Sequence, residues 1–152
     1  MPKVLLDVPL KLQKNDGDCL AASAAMALAY LNQAIRYNRL LDLLDIKFYG
    51  APASNILRLA TLGLDVTYSK TSTRGLKILL HQQHPIIVFL RTSELPYWSY
   101  ATNHALVVVG YDVRHIYVND PVFEKAPLKV SQGDFELAWL ERDYAYAVIA
   151  RS

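Results

Sequence analysis

Residue 19 is the one cysteine among the 152 residues, and it stands where the polar turn QKNDGD meets the alanine-rich run CLAASAAMALAY. A thiol at that boundary can act as a nucleophile. The thiolate is the reactive form, and the free amides and macrodipole at a helix start favour it. Asp16 and Asp18 work against the anion, so the helix start needs help from a neighbouring imidazolium. Four histidines compete for that place. His81 and His84 lie near the end of a predicted helix and His115 at a hairpin turn, where a solvated or structural residue is as good a reading. His104 differs, because it follows the loop WSYATN and opens the most apolar strand of the chain. A rigid strand can hold a ring over a cleft.

A base that faces sulfur with one ring nitrogen needs an acceptor on the other. The strand HIYVND follows HALVVVGYD after a few residues, so the two should form an antiparallel hairpin. The start of one strand then faces the end of the next, which brings either Asn119 or Asp120 toward His104. The developing oxyanion needs a donor, for which the Cys19 backbone amide and the Gln13 side chain are both candidates. Each residue also has an ordinary reading. Cys19 can be an inert small residue, His104 a strand end, Asp120 a turn former before Pro121 and Gln13 surface decoration. Their joint occurrence in compatible places is worth more than any one of them.

The elements that must position these groups can be read from periodicity. VLLDVPLKL is a short extended piece broken by Pro9. CLAASAAMALAYLNQAI has no polar face and predicts a buried central helix, with Asp18 placed to cap its start. NRLLDLLDIKF is an amphipathic helix, and SNILRLATLG a helix with Ser54 as its cap and Gly63 as its C-cap. LDVTYSK alternates as a strand, and STRGLKILLHQQH is a helix ended by Pro85. The strands PIIVFLR, HALVVVGYD and HIYVND follow, then the helix SQGDFELAWL and the strand YAYAVIAR. Helices first and strands later predict an α+β fold with two lobes, a helical N-terminal lobe packed on a C-terminal antiparallel sheet. ELPYWSYAT is an aromatic loop just before His104, readable either as a wall that grips an extended peptide or as core that braces the loop.

Hydrophobic residues make up 53% of the chain and charged residues 20%, which suits one domain with one substantial core. The formal net charge of +2 is too small a bias to point to nucleic acid or an anionic membrane. A lone cysteine rules out an internal disulfide and a cysteine-based zinc cluster. The start MPKVLLDVPLKLQ is too short in its apolar run for a signal peptide, and no stretch has the length to span a membrane. The default compartment is therefore the cytoplasm, although a mature fragment that had lost its leader would look the same.

The combination LDVPLKLQ, DGDCLAASAAMALAYL, HALVVVGYD and IYVNDP resembles the C39-like branch of the papain-like cysteine peptidases, over nearly the whole chain. The resemblance implies a papain-like fold and a single peptidase domain over residues 1–152. It makes Cys19 the nucleophile, His104 the general base, Asp120 the residue that orients it and Gln13 a member of the oxyanion hole. It implies hydrolysis of peptide bonds through a thioester and no cofactor. The implied partner is a peptide or protein substrate, leader peptides among them, with a further protein partner left open. The chain departs from the family in carrying Leu20 where glycine usually follows the cysteine. That substitution keeps a second reading in play, an inactive peptide-binding or adaptor module, and behind it a structural subunit of a larger assembly.

Overall fold

The computed structural model describes residues 1–152. Four α-helices and seven strands alternate along the chain: β1 (Val4–Leu5), α1 (Cys19–Tyr30), α2 (Tyr37–Leu43), β2 (Leu64–Lys70), α3 (Thr73–His81), β3 (Ile86–Arg91), β4 (Asn103–Tyr111), β5 (His115–Asn119), β6 (Leu128–Ser131), α4 (Gln132–Leu140) and β7 (Ala145–Arg151). Short 3-10 helices cover Ala53–Leu62 and Thr92–Glu94. The strands form one sheet in the order β2-β7-β3-β4-β5-β6, every pair antiparallel, with β1 added against the far end of β4. This is the α+β, papain-like arrangement expected from the sequence. The N-terminal half nevertheless contributes β1 and β2 to the sheet.

Strand side chains alternate between two faces, and both faces of this sheet are covered. Ile87, Phe89, Ala105, Val107, Val109, Ala147 and Ile149 pack with Leu20, Ala24, Met26 and Leu28 of α1. Their sequence neighbours Ile86, Val88, Leu90, Leu106, Val108 and Val148 pack on the other side with Leu76 and Leu80 of α3 and Phe135 and Trp139 of α4. That double burial explains why the β3 and β4 sequences read as unbroken apolar runs. It also explains why α1 has no polar face, since eight of its residues are buried.

Several boundaries differ from the sequence expectation. Helix α1 stops at Tyr30 instead of running on to Ile35, because Asn32 takes a left-handed conformation with φ of 56°. Helix α2 ends at Leu43, and Asp45, also left-handed, turns the chain into a small bridge between Lys47 and Gly50. The segment from Ala53 is a 3-10 helix whose start carries no side-chain cap, so Ser54 does not serve as one, while Gly63 does close it with φ of 79°. Ser72 and Ser131 accept hydrogen bonds from Gly75 N and Asp134 N and cap α3 and α4. Strand β6 has no counterpart in the sequence reading. It is too short to show a period.

The first residues form a strap across the sheet. Lys3 N donates to Tyr111 O and Leu6 N to Val109 O, both at 2.8 Å, and the buried Asn119 side chain donates to Val8 O at 3.0 Å. Gly110 makes the crossing feasible, since a Cβ there would lie 2.4 Å from Val4 O. The strap ends where Gln13 N donates to Pro121 O at 2.9 Å.

Candidate active site

Cys19 is the first residue of α1 and is half-buried. Asp18 occupies the cap position, but its carboxylate does not bond the helix amides. It accepts instead from the Tyr37 hydroxyl at 2.6 Å and from Asn15 N and Nδ2 at 3.2 and 3.3 Å. The expected cap is thus turned away, and the first-turn amides are left free around the sulfur. An uncapped helix start is an electropositive spot. The turn before Cys19 is pinned by Gly17, where a Cβ would lie 2.6–2.7 Å from backbone atoms of Lys47, Phe48 and Gly50.

His104 comes in from the start of β4, 4% exposed, and its ring shares the cleft with the Cys19 thiol closely enough to lower the thiol's pKa. Its Nε2 lies 2.8 Å from Asp120 Oδ1, which leaves Nδ1 for the sulfur. Asp120 is fully buried just beyond β5. Besides His104 it accepts from Val122 N at 3.0 Å, Tyr97 Oη at 2.7 Å and Trp98 Nε1 at 3.0 Å, so both carboxylate oxygens are fully used. Asn119, the alternative partner for the ring, points to the strap instead.

Burial alone would disfavour every charge here, and the contacts reverse its effect. Burial opposes the imidazolium, yet the hydrogen bonds to Asp120 and Cys19 and the charges on both raise the His104 pKa to about 9. Burial pushes the Cys19 thiol up, while the His104 hydrogen bond and charge, and the amides of Ala105 and Leu20, bring it below its ordinary value. Burial likewise raises Asp120, but the His104 hydrogen bond and charge hold it below the usual carboxylate range. A thiolate–imidazolium pair backed by a carboxylate is the arrangement these shifts favour.

Cys19 and His104 open onto a cleft of about 400 Å³ between the lobes. One wall carries Asp16, Gly17, Tyr49, Ala51 and Pro52, and the other Phe89, Asn103, Ala105 and Arg142. Leu20 reaches the cleft but is 3% exposed and belongs to the α1 core, so it does not separate sulfur from ring. The aromatic loop resolves toward bracing. Tyr97 and Trp98 hold Asp120, and the Trp98 ring stands edge-on to His104 with centroids 4.8 Å apart. Gln13 is set back from the cleft. Its Nε2 donates to the carbonyls of Asn15 and Asp16 at 2.8 and 3.2 Å, and its Oε1 is buried without a partner. Sequence reasoning did not find Arg142, Tyr49 or Tyr37. Each reaches the site from a turn or helix that carries no chemical pattern of its own.

The chain matches the Peptidase C39-like family over residues 5–147 and belongs to that family. No curated protein matches it. Among solved structures, a C39-like peptidase from Bacillus anthracis aligns with a TM-score of 0.82 at 18% identity, covering 98% of each chain. A double glycine motif protease from an AMS/PCAT transporter, solved in complex with the leader peptide, aligns with a TM-score of 0.77 at 21% identity, covering 99% of this chain and 96% of its own. The peptidase domain of Streptococcus ComA, a bifunctional ABC transporter of a quorum sensing pathway, gives 0.77 at 19% identity, covering 94% and 98%. At such identities the likeness is one of fold. No helix of this chain is long and apolar enough to cross a membrane.

Proposed function

We propose that this chain is a cysteine peptidase in which residues 1–152 form one domain, with Cys19 as nucleophile, His104 as general acid and base, and Asp120 as the group that orients and charges the ring. The observation that carries the reading is the continuous line from Cys19 through His104 to a fully bonded Asp120, opening on the interlobe cleft. The Cys19 thiolate attacks a peptide carbonyl carbon and forms a C–S bond as the carbonyl electrons move onto oxygen. The His104 imidazolium gives its proton to the leaving nitrogen, and the C–N bond breaks. A water then loses a proton to His104 and attacks the thioester, releasing the acid and restoring the thiolate–imidazolium pair. The Cys19 amide at the uncapped helix start is the nearer oxyanion donor. Gln13 joins it only by turning its Nε2 away from the Asn15 and Asp16 carbonyls. A peptide is the substrate class, in line with the structurally similar transporter protease solved in complex with the leader peptide.

The test is thiol labelling across pH together with cleavage of a peptide library. The wild type should alkylate at Cys19 well below the ordinary thiol range, and His104→Ala should lose that acid-shifted reactivity. Cys19→Ala should abolish cleavage with the fold retained. Full cleavage by C19A would overturn the assignment. An ordinary thiol in the wild type would favour the inactive, peptide-binding reading.

A further inference from the structure

Arg142 is the one lysine or arginine on the cleft, and no carboxylate in the chain pairs with it. The ion pairs of the molecule are Lys47–Asp45, His104–Asp120 and His115–Asp112, so no carboxylate lies within 4.0 Å of the Arg142 guanidinium. Its stem crosses the sheet face so that the guanidinium carbon sits 5.8 Å from the centre of the Phe89 ring. The group is half-buried, makes no side-chain hydrogen bond, and shares the cleft with Cys19 and His104. Burial depresses its pKa, and the nearby Tyr68 and Cys19 partly offset that, but a guanidinium stays charged at neutral pH. The Cys19 thiolate is shared with His104, so this half-buried cation has no hydrogen-bonded anion of its own, which is costly unless something pairs with it.

The backbone around Arg142 is itself unusual. Asp143 and Tyr144, which follow it directly, both take φ of 58°. Left-handed conformation in consecutive non-glycine residues, one of them bulky, is strained and needs support from its surroundings. Here Tyr144 N bonds to Trp139 O and Ala145 N to Arg142 O, closing a tight turn that sets Arg142 at the cleft. The cleft's acidic residue, Asp16, belongs to the opposite wall and pairs with no cation.

We propose that Arg142 is a specificity-determining residue that binds a carboxylate of the substrate beside Cys19, so that the enzyme prefers peptides bearing an acidic side chain near the scissile bond. This rests on the peptidase reading above. An Arg–carboxylate pair can be bidentate, which fixes orientation as well as charge. The carboxylate can belong to an Asp or Glu side chain or to a chain terminus, and the test separates the two.

The first measurement compares alkylation of Cys19 by iodoacetate, an anion, with that by neutral iodoacetamide, in wild type, Arg142→Gln and Arg142→Lys. His104 contributes equally to all three, so it cancels. The iodoacetate-to-iodoacetamide rate ratio should fall about five- to tenfold in R142Q and be largely kept in R142K. An unchanged ratio in R142Q would overturn the proposal. The second measurement scans synthetic peptides matched as Glu against Gln at each position, and as free against amidated termini. The wild type should favour Glu at one position, and R142Q should lose that preference. A preference for the free terminus instead moves the carboxylate to the chain end and overturns the side-chain assignment. Indifference to both overturns the proposal altogether. If the wild type cuts nothing, the peptidase reading fails by itself, while the alkylation ratio still decides whether Arg142 holds an anion.

Discussion

The two halves of the site are built differently. On the sheet side, His104 and Asp120 are buried, and every acceptor position on the carboxylate is filled by a named donor. On the helix side, the cap of α1 is turned away to Tyr37 and Asn15, the Gln13 Oε1 has no partner, and Gly17 fits closely against residues 47–50. A buried network with all its members satisfied has one geometry, whereas a half-satisfied one has room to change. In the mechanism proposed above, the half that holds the base is preorganised, and the half assigned to the oxyanion is open to adjustment.

The contrast can be broken by substitution. Asp120→Asn should have the largest effect. An amide cannot offer four acceptor positions, so Tyr97, Trp98 or Val122 loses its acceptor and the His104 ring loses its countercharge. Peptidase turnover should drop by roughly 10²-fold or more. The His104 pKa should fall from about 9 toward its ordinary value, as read by NMR titration of the ring. The sign for stability follows. A histidine whose pKa is raised in the folded state stabilises the fold fully below its unfolded value, and that contribution is lost as pH rises through about 9. The lowered Cys19 thiol contributes with the opposite sign over the same window, so the histidine's share shows once the thiol is removed: Cys19→Ala should lose stability to urea between neutral pH and pH 9 more steeply than the Cys19→Ala, Asp120→Asn double variant.

Gln13→Ala should separate the halves. It removes the orphaned Oε1 together with two exposed hydrogen bonds, so stability should change by less than about 1 kcal/mol. If Nε2 swings over the oxyanion, turnover should fall by up to ~10²-fold while Cys19 alkylation stays fast. Equal turnover in wild type and Q13A would leave the helix amides as the sole donors. Gly17→Ala should have the smallest chemical effect and a mainly mechanical one. Its Cβ needs the 47–50 bridge to move, which should destabilise by about 1–3 kcal/mol in thermal or urea unfolding.

The sequence carried the sheet side of the site well. HALVVVGYD and HIYVND have enough length and hydrophobicity to predict a hairpin, and a hairpin fixes which residues meet at its end. It left Asn119 and Asp120 unresolved, because one residue of register decides which of them faces the ring; the pairing of Asn119 with Val107 turns its side chain to the strap. The helix side was less legible. Asp18 has the type of a cap, but a tyrosine from α2 competes for its carboxylate, and such a long-range rival leaves no local trace. Ser54 fails as a cap because the segment that begins at Ala53 winds as a 3-10 helix entered from Pro52. Arg142 is silent in sequence, since its meaning depends on a turn with two left-handed residues and on the lack of any facing acid.

The strap of residues 3–13 has a consequence for how the molecule can be handled and controlled. Its last rung, from Gln13 N to Pro121 O, joins the turn ahead of Cys19 to the residue next to Asp120. Cys19 and Asp120, the proposed nucleophile and orienting acid, are therefore tethered through the amino-terminal segment as well as through the packed interior. A tug on that leading end, whether from a fused tag, a deletion or a docked protein, would be felt beside Cys19 and beside Asp120 at once.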